Sequence, residues 1–75
     1  MRRDEIHLGD YLYDGVETVM VMAHDVDDDV LVEVIESKFC PIEDRLGYHR
    51  RYYVPYMFIG NTPYSLWKHI GGYFR

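Results

Sequence analysis

Three aspartates at alternate positions, Asp25, Asp27 and Asp29, followed by Glu33 and Glu36, reproduce the 1, 3, 5, 9 and 12 spacing of a calcium-binding loop. In such a loop hard carboxylate oxygens surround the ion, and position 6 needs glycine for its sharp turn. Here that position is Val30, at the head of a strand-like run, so the backbone is not expected to wrap a metal. The segment predicts instead a solvated acidic loop. Asp25, Asp27, Asp28 and Asp29 crowd their carboxylates together, and such a patch attracts a basic protein surface over long range.

A second constellation, Arg45, His49, Arg50, Arg51, Tyr52 and Tyr53, combines cations that neutralise phosphates with rings on which bases stack. Strand alternation would place only some of those rings outside and the others in the core. His7, His24, His49 and His69 show no i, i+4 pairing, and Cys40 has no second cysteine, so a zinc site of ordinary spacing is not expected. A single thiol in a small domain reads as packing rather than as a nucleophile. No glycine-rich phosphate loop or nucleophile elbow occurs, and 75 residues leave little interior for a substrate pocket. Neither enzymatic activity nor a cofactor is expected.

Charge is segregated along the chain. All 13 acids lie at or before Asp44, where they meet only Arg2, Arg3 and Lys38 for a net −10. Residues 45 to 75 contain Arg45, Arg50, Arg51, Lys68, Arg75 and no acid, a net +5. Nine of the twelve aromatics fall in that second part, Tyr73 and Phe74 among them. The halves are read either as neighbouring layers of one domain or as two functional faces.

Length sets the scale of the elements that must hold these residues. Residues 1–75 support a single domain of marginal stability, because a chain this short buries only about 60% of its unfolded surface. An aromatic content of 16% is too high for a disordered chain. Cys40 alone closes no internal disulfide, which excludes a disulfide-stapled miniprotein and fits a reducing, cytoplasmic setting. No apolar window approaches the roughly 18 residues of a membrane span, and no apolar stretch follows Met1-Arg2-Arg3-Asp4-Glu5, so neither a span nor a signal peptide is expected.

Ile6 to Tyr13 reads as a strand ending at Asp14-Gly15, the strongest short hairpin signal. Val16 to Ala23 is rich in β-branched residues and predicts a second strand. The acidic loop then separates it from a third, Val30 to Glu36, in which Val30, Val32 and Val34 share one face. Pro41 to Gly47 predicts a helical turn, with proline at its start and glycine at its end. His49 to Ile59 is again β-forming, but Pro55 confines that point to an edge, a bulge or a break. Asn61-Thr62-Pro63 resembles a helix start, and Leu66, Trp67 and Ile70 would share a helix face stopped by Gly71-Gly72. The pattern predicts a mainly β fold: a small antiparallel barrel or strongly curved sheet of four to five strands with a short C-terminal helix.

Asp10-Tyr11-Leu12-Tyr13-Asp14-Gly15 and Tyr53-Val54-Pro55-Tyr56 resemble the beginning and end of an SH3 domain, which opens with an A-L-Y-D-Y run and has a late proline and tyrosine. The tryptophan pair of that family is missing, and Trp67 comes after the last expected barrel strand. Gly9-Asp10 followed by two Val-rich strands also resembles the small SH3-like barrel proteins of bacteria and phages. These resemblances imply architecture and not recognition of proline-rich peptides.

The function expected is a small non-enzymatic protein-binding module, an inhibitor or adaptor from a phage or mobile element acting on a host protein. Its partner surface would be the acidic loop or the Arg/Tyr-rich face. The alternative is single-stranded nucleic-acid binding by segment 45–56. Tyrosines and Trp67 beyond the needs of so small a core also lead to an expectation of homo-oligomers.

Overall fold

A computed structural model describes residues 1–72; Tyr73, Phe74 and Arg75, part of the aromatic and basic half, lie outside the described residues. The chain opens with a 3₁₀ turn at Arg3–Glu5. Six strands follow: β1 (Asp10–Tyr13), β2 (Glu17–His24), β3 (Asp29–Ser37), β4 (Arg51–Pro55), β5 (Ile59–Gly60) and β6 (Trp67–Gly72). They form one sheet in the order β4-β3-β2-β1-β6-β5.

The Val-rich strands behave as their alternation requires. Val19, Val21, Val30, Val32 and Val34 are all at most 1% exposed and face one side, with Val19 opposite Val34 and Val21 opposite Val32. Each such side chain contributes about 1.5–3 kcal/mol by leaving water. Leu12, Ile6, Val54, Tyr56, Ile59 and Trp67 complete the core. At the first hairpin, Asp14 Oδ1 accepts from the N–H groups of Val16 (2.9 Å) and Glu17 (2.7 Å), and Gly15 takes φ +100°, which favours glycine.

The sheet curls into a half-barrel. Its outermost strands, β4 and β5, are joined only by the 3₁₀ turn Tyr56–Phe58, so the two edges must come round towards each other. Register shifts in β2 against β3, and between Tyr11 and Leu12 of β1 against β6, supply the extra twist. Pro55 sits on an edge strand and ends it, as expected of a residue without a ladder donor.

Three expectations are corrected. The C-terminal helix is absent: Trp67–Gly72 is strand β6, paired with β1 through Leu12↔His69 and Tyr13↔Lys68. Six residues are too few for a stable isolated helix, whereas a strand here gains a ladder and places Trp67 in the core, its ring 6.1 Å from that of Tyr52. Leu66 and Ile70, the supposed helix face, are 59% and 54% exposed. Among the described residues the strands number six rather than four or five, and the sheet is mixed, because β5 runs parallel to β6. Pro41 to Gly47 forms no helical turn: Asp44 Oδ1 accepts from Leu46 N (2.8 Å) and Tyr48 N (3.1 Å), and this local turn closes a small loop with Glu43 bridged to His49.

Candidate functional site

Strand β4 divides the basic and aromatic constellation. Tyr52 and Val54 point inward with the core, while Arg51 and Tyr53 point out. Just before the strand, Arg50 also turns in. Its guanidinium donates to Glu17 Oε2 and, through Nε, to Pro41 O at 2.7 Å. The Tyr52 hydroxyl donates to Glu17 Oε1 at 2.7 Å, and Ser37 Oγ donates to Glu17 Oε2 at 3.1 Å. Burial opposes ionisation of Glu17, but the bonds from Arg50, Tyr52 and Ser37 outweigh it and hold the carboxyl below the usual glutamate value. Burial, reinforced by the Glu17 carboxylate, pushes the Tyr52 phenol well above its usual value.

Arg51 is exposed but engaged: its Nε and Nη2 meet Glu33 Oε1 across the β3–β4 ladder at 3.1 and 3.0 Å. Arg45 and His49 are exposed in the loop before β4 and make no ion pair among the described residues. His49 and Arg51 do converge, with Glu33, Asp44, Gly47 and Tyr48, around an open cleft of about 680 Å³. The structure thus brings Arg51 and His49 together, leaves Tyr53 on the outer face beyond them, and withdraws Arg50 and Tyr52 into the Glu17 network.

Asp25, Asp27, Asp28 and Asp29 form the tip of the β2–β3 hairpin. Asp25 N donates to Asp29 O at 3.0 Å to close the turn, and Asp28 takes φ +59°, a conformation aspartate tolerates better than most residues. Tyr56 N holds the tip to the barrel by donating to Asp28 O at 3.2 Å. Asp27 and Asp28 are exposed, and Asp25 and Asp29 are half-buried. Asp29 Oδ1 is covered and accepts no hydrogen bond among the described residues. Burial, then the facing Asp25 carboxyl and the charges of Asp25, Asp27 and Asp28, raise the Asp29 pKa above its usual value. When both carboxyls are ionised no proton lies between them; protonating one lets it donate to the other. Among the described residues, none of these four carboxylates forms an ion pair with a cationic side chain.

One buried polar cluster escaped sequence reasoning. Asp10, 3% exposed, faces His69 Nε2 at 2.6 Å and accepts from His7 N at 3.0 Å. Asp10 and His69 are 59 positions apart, and only the β1–β6 pairing brings them together. With His69 read on a helix, no sequence signal linked them.

Among the described residues, no group of three or more His, Cys, Asp or Glu side chains is arranged to hold a metal ion, and no helix is long and apolar enough to cross a membrane. In comparisons with known proteins, no family model, curated protein or solved structure matches this chain.

Proposed function

We propose that this chain is a small non-enzymatic protein-binding module whose Asp25–Asp29 tip engages a basic surface of its partner. One contrast carries the proposal. The arginines central to a phosphate-binding reading are already paired within the chain, Arg50 with Glu17 and Arg51 with Glu33, whereas the four tip carboxylates form no ion pair among the described residues, Arg3 reaching only the Asp25 backbone carbonyl at 3.3 Å. Among the described residues no ion pair offsets the repulsion within the tip, and an incoming Lys or Arg offsets it on binding.

Joining β4 to β5 by a 3₁₀ turn supports treating the half-barrel as an SH3-like barrel that presents this tip. Action as an inhibitor or adaptor on a host protein, as for a product of a phage or mobile element, belongs to the same proposal and draws on the chain's small size and net charge of −5. A cytoplasmic location is likewise proposed from the lone, exposed Cys40.

The test is affinity capture from candidate host lysates on immobilised protein, with and without nuclease, beside the Asp27→Asn/Asp28→Asn/Asp29→Asn variant. A basic protein retained in both lysates by the wild type and lost by the variant is the expected result. Retention that vanishes with nuclease, together with micromolar binding of a labelled oligo-dT at physiological salt, would make single-stranded nucleic-acid binding the better account.

A further inference from the structure

The two edges of the sheet are finished differently. At β5 the edge is only two residues long, and the Met1 ammonium donates to the nearby carbonyls of Tyr56 (3.1 Å) and Ile59 (2.5 Å). Strand β4 runs for five residues and, among the described residues, has a neighbour, β3, on one side only. Two backbone bonds show which of its groups are engaged: Val34 N donates to Arg50 O at 2.8 Å, and Tyr56 N donates to Asp28 O at 3.2 Å. Tyr52, Val54 and Tyr56 therefore turn their backbone groups towards β3, as does the Arg50 carbonyl, while the Arg50 N–H goes to the preceding loop. Because those groups alternate sides along an antiparallel strand, Arg51, Tyr53 and Pro55 direct theirs away from the sheet. No partner for the outward N–H of Arg51 or Tyr53 is found among the described residues.

We propose that a second copy of this chain completes that edge, β4 against β4, antiparallel about a two-fold axis at Tyr53. This register alone pairs the whole of β4 with itself. Tyr53 and Tyr53 of the partner subunit exchange a pair of N–H···O=C bonds, and Arg51 N–H reaches the C=O of the partner's Pro55. Pro55 has no N–H, so every outward donor of both strands finds an acceptor. A register sliding towards residue 49 runs into the loop whose Ile42 O already accepts from Arg50 N at 2.9 Å. A slide the other way runs into the Tyr56–Phe58 turn.

Charge selects the antiparallel sense. The acidic tip stands at the Pro55 end of β4, where Asp29 pairs with Pro55, and Arg45, His49 and Arg51 stand at or near the other. Antiparallel pairing puts the two tips at opposite ends of the joint, each towards the other copy's arginines, whereas parallel pairing would set the tips side by side. Tyr53, 56% exposed beside Leu31, gains a cover on the outer face. The joint is isologous, so it closes at a dimer and leaves both tips exposed. It does not depend on what the tips bind.

Sedimentation equilibrium of the full chain should show a monomer–dimer equilibrium. Tyr53→Pro removes the outward N–H and the ring without breaking a ladder bond to β3, and Tyr53→Lys sets like charges face to face at the axis with the backbone N–H kept. Each should raise the dimer Kd by at least about tenfold while leaving the β-sheet circular dichroism intact. Removing the exposed native thiol as Cys40→Ser then permits a trap. With Tyr53→Cys the paired Cα atoms lie about 5.5 Å apart and a disulfide closes on mild oxidation. With Arg51→Cys they lie about 13 Å apart and none does. The proposal is overturned by a wild type that stays monomeric at millimolar concentration, by an unchanged Kd in Tyr53→Lys, or by Arg51→Cys cross-linking as fast as Tyr53→Cys.

Discussion

The Arg50 guanidinium donates to the Glu17 carboxylate across 33 positions of chain, tying the start of β2 to the entry of β4. Tyr52 and Ser37 donate to the same carboxylate, so Glu17 gathers contacts from two other stretches of sequence, the end of β3 and the entry of β4, at the rim of the core. An arginine held this way is a strut of the half-barrel, its charge already paired with Glu17.

Glu17→Ala should therefore cost about 2 kcal/mol of stability, since it leaves a partly covered guanidinium and a half-buried phenol without their acceptor. Arg50→Ala should cost less, because Tyr52 and Ser37 still satisfy the carboxylate. Urea denaturation of both variants checks the order; a Glu17→Ala loss below about 0.5 kcal/mol would mean the network is idle.

The same carboxyl sets an acid limit. Its folded-state pKa lies below the ordinary value of 4.5, so its contribution is complete above that value and is lost as pH falls through the depressed folded one. Tm should accordingly drop on acidification below about pH 4.5, and Glu17→Gln should flatten that part of the profile. An equally steep acid limb in Glu17→Gln would assign the effect to other carboxyls.

Much of this framework was legible in the sequence, for physical reasons that also mark where legibility ended. The alternation of Val30, Val32 and Val34 marks a strand with one buried face, and like charges from Asp25 to Asp29 exclude a strand interior, so the β2–β3 hairpin and its acidic tip were both foreseeable. Strand β6 was not. Asn61-Thr62-Pro63 carries the local chemistry of a helix start, yet Ser65 N donates to Thr62 O at 3.1 Å in a turn that stops there. Pairing with β1, a partner more than fifty residues away, then decides the conformation. Gly71, read as a helix stop, instead takes φ +119° within β6, opposite Tyr11, where the register shifts. The split of Arg50 and Tyr52 from Arg51 and Tyr53 follows from strand period, but that Glu17 would claim the inward pair depended on tertiary contact.

Gly71→Ala should cost about 1–3 kcal/mol although nothing lies within 4 Å of the added Cβ, because the penalty is conformational. Thermal unfolding of the variant measures it; a loss indistinguishable from zero would mean that β6 relaxes to ordinary strand geometry there.

Asp29 works in the opposite sense to Glu17. Its folded-state pKa is raised, first by burial and then by Asp25, so its neutral form suits the fold; the stability it adds below the ordinary value of 3.8 is lost as pH rises through the folded value. Asp29→Asn should then raise Tm at pH 7 and leave it nearly unchanged at pH 3. A lower Tm at pH 7 would show that the ionised carboxylate is wanted in the free protein.

The hairpin tip decides between the two functional accounts, because neutralising it moves affinity in opposite directions. If a basic protein is the partner, Asp27→Asn/Asp28→Asn/Asp29→Asn removes the steering charge, so association should slow by about tenfold at low salt, with little change in dissociation, and the difference should fade as salt rises. If single-stranded nucleic acid were the ligand, the same variant would bind more tightly, since the tip repels phosphates. Arg50 is unsuitable for the complementary test, because replacing it also disturbs Glu17. Arg45→Gln with Arg51→Gln probes phosphate contact instead, and should leave protein association near its wild-type rate while flattening the salt dependence of any oligo-dT binding. Stopped-flow association with the captured protein and titration with labelled oligo-dT, each across a salt series, separate the outcomes. Slower protein association in the tip variant, with no oligo-dT binding at physiological salt, is the expected pair of results; tighter oligo-dT binding in the tip variant, abolished by Arg45→Gln with Arg51→Gln, would reverse the assignment.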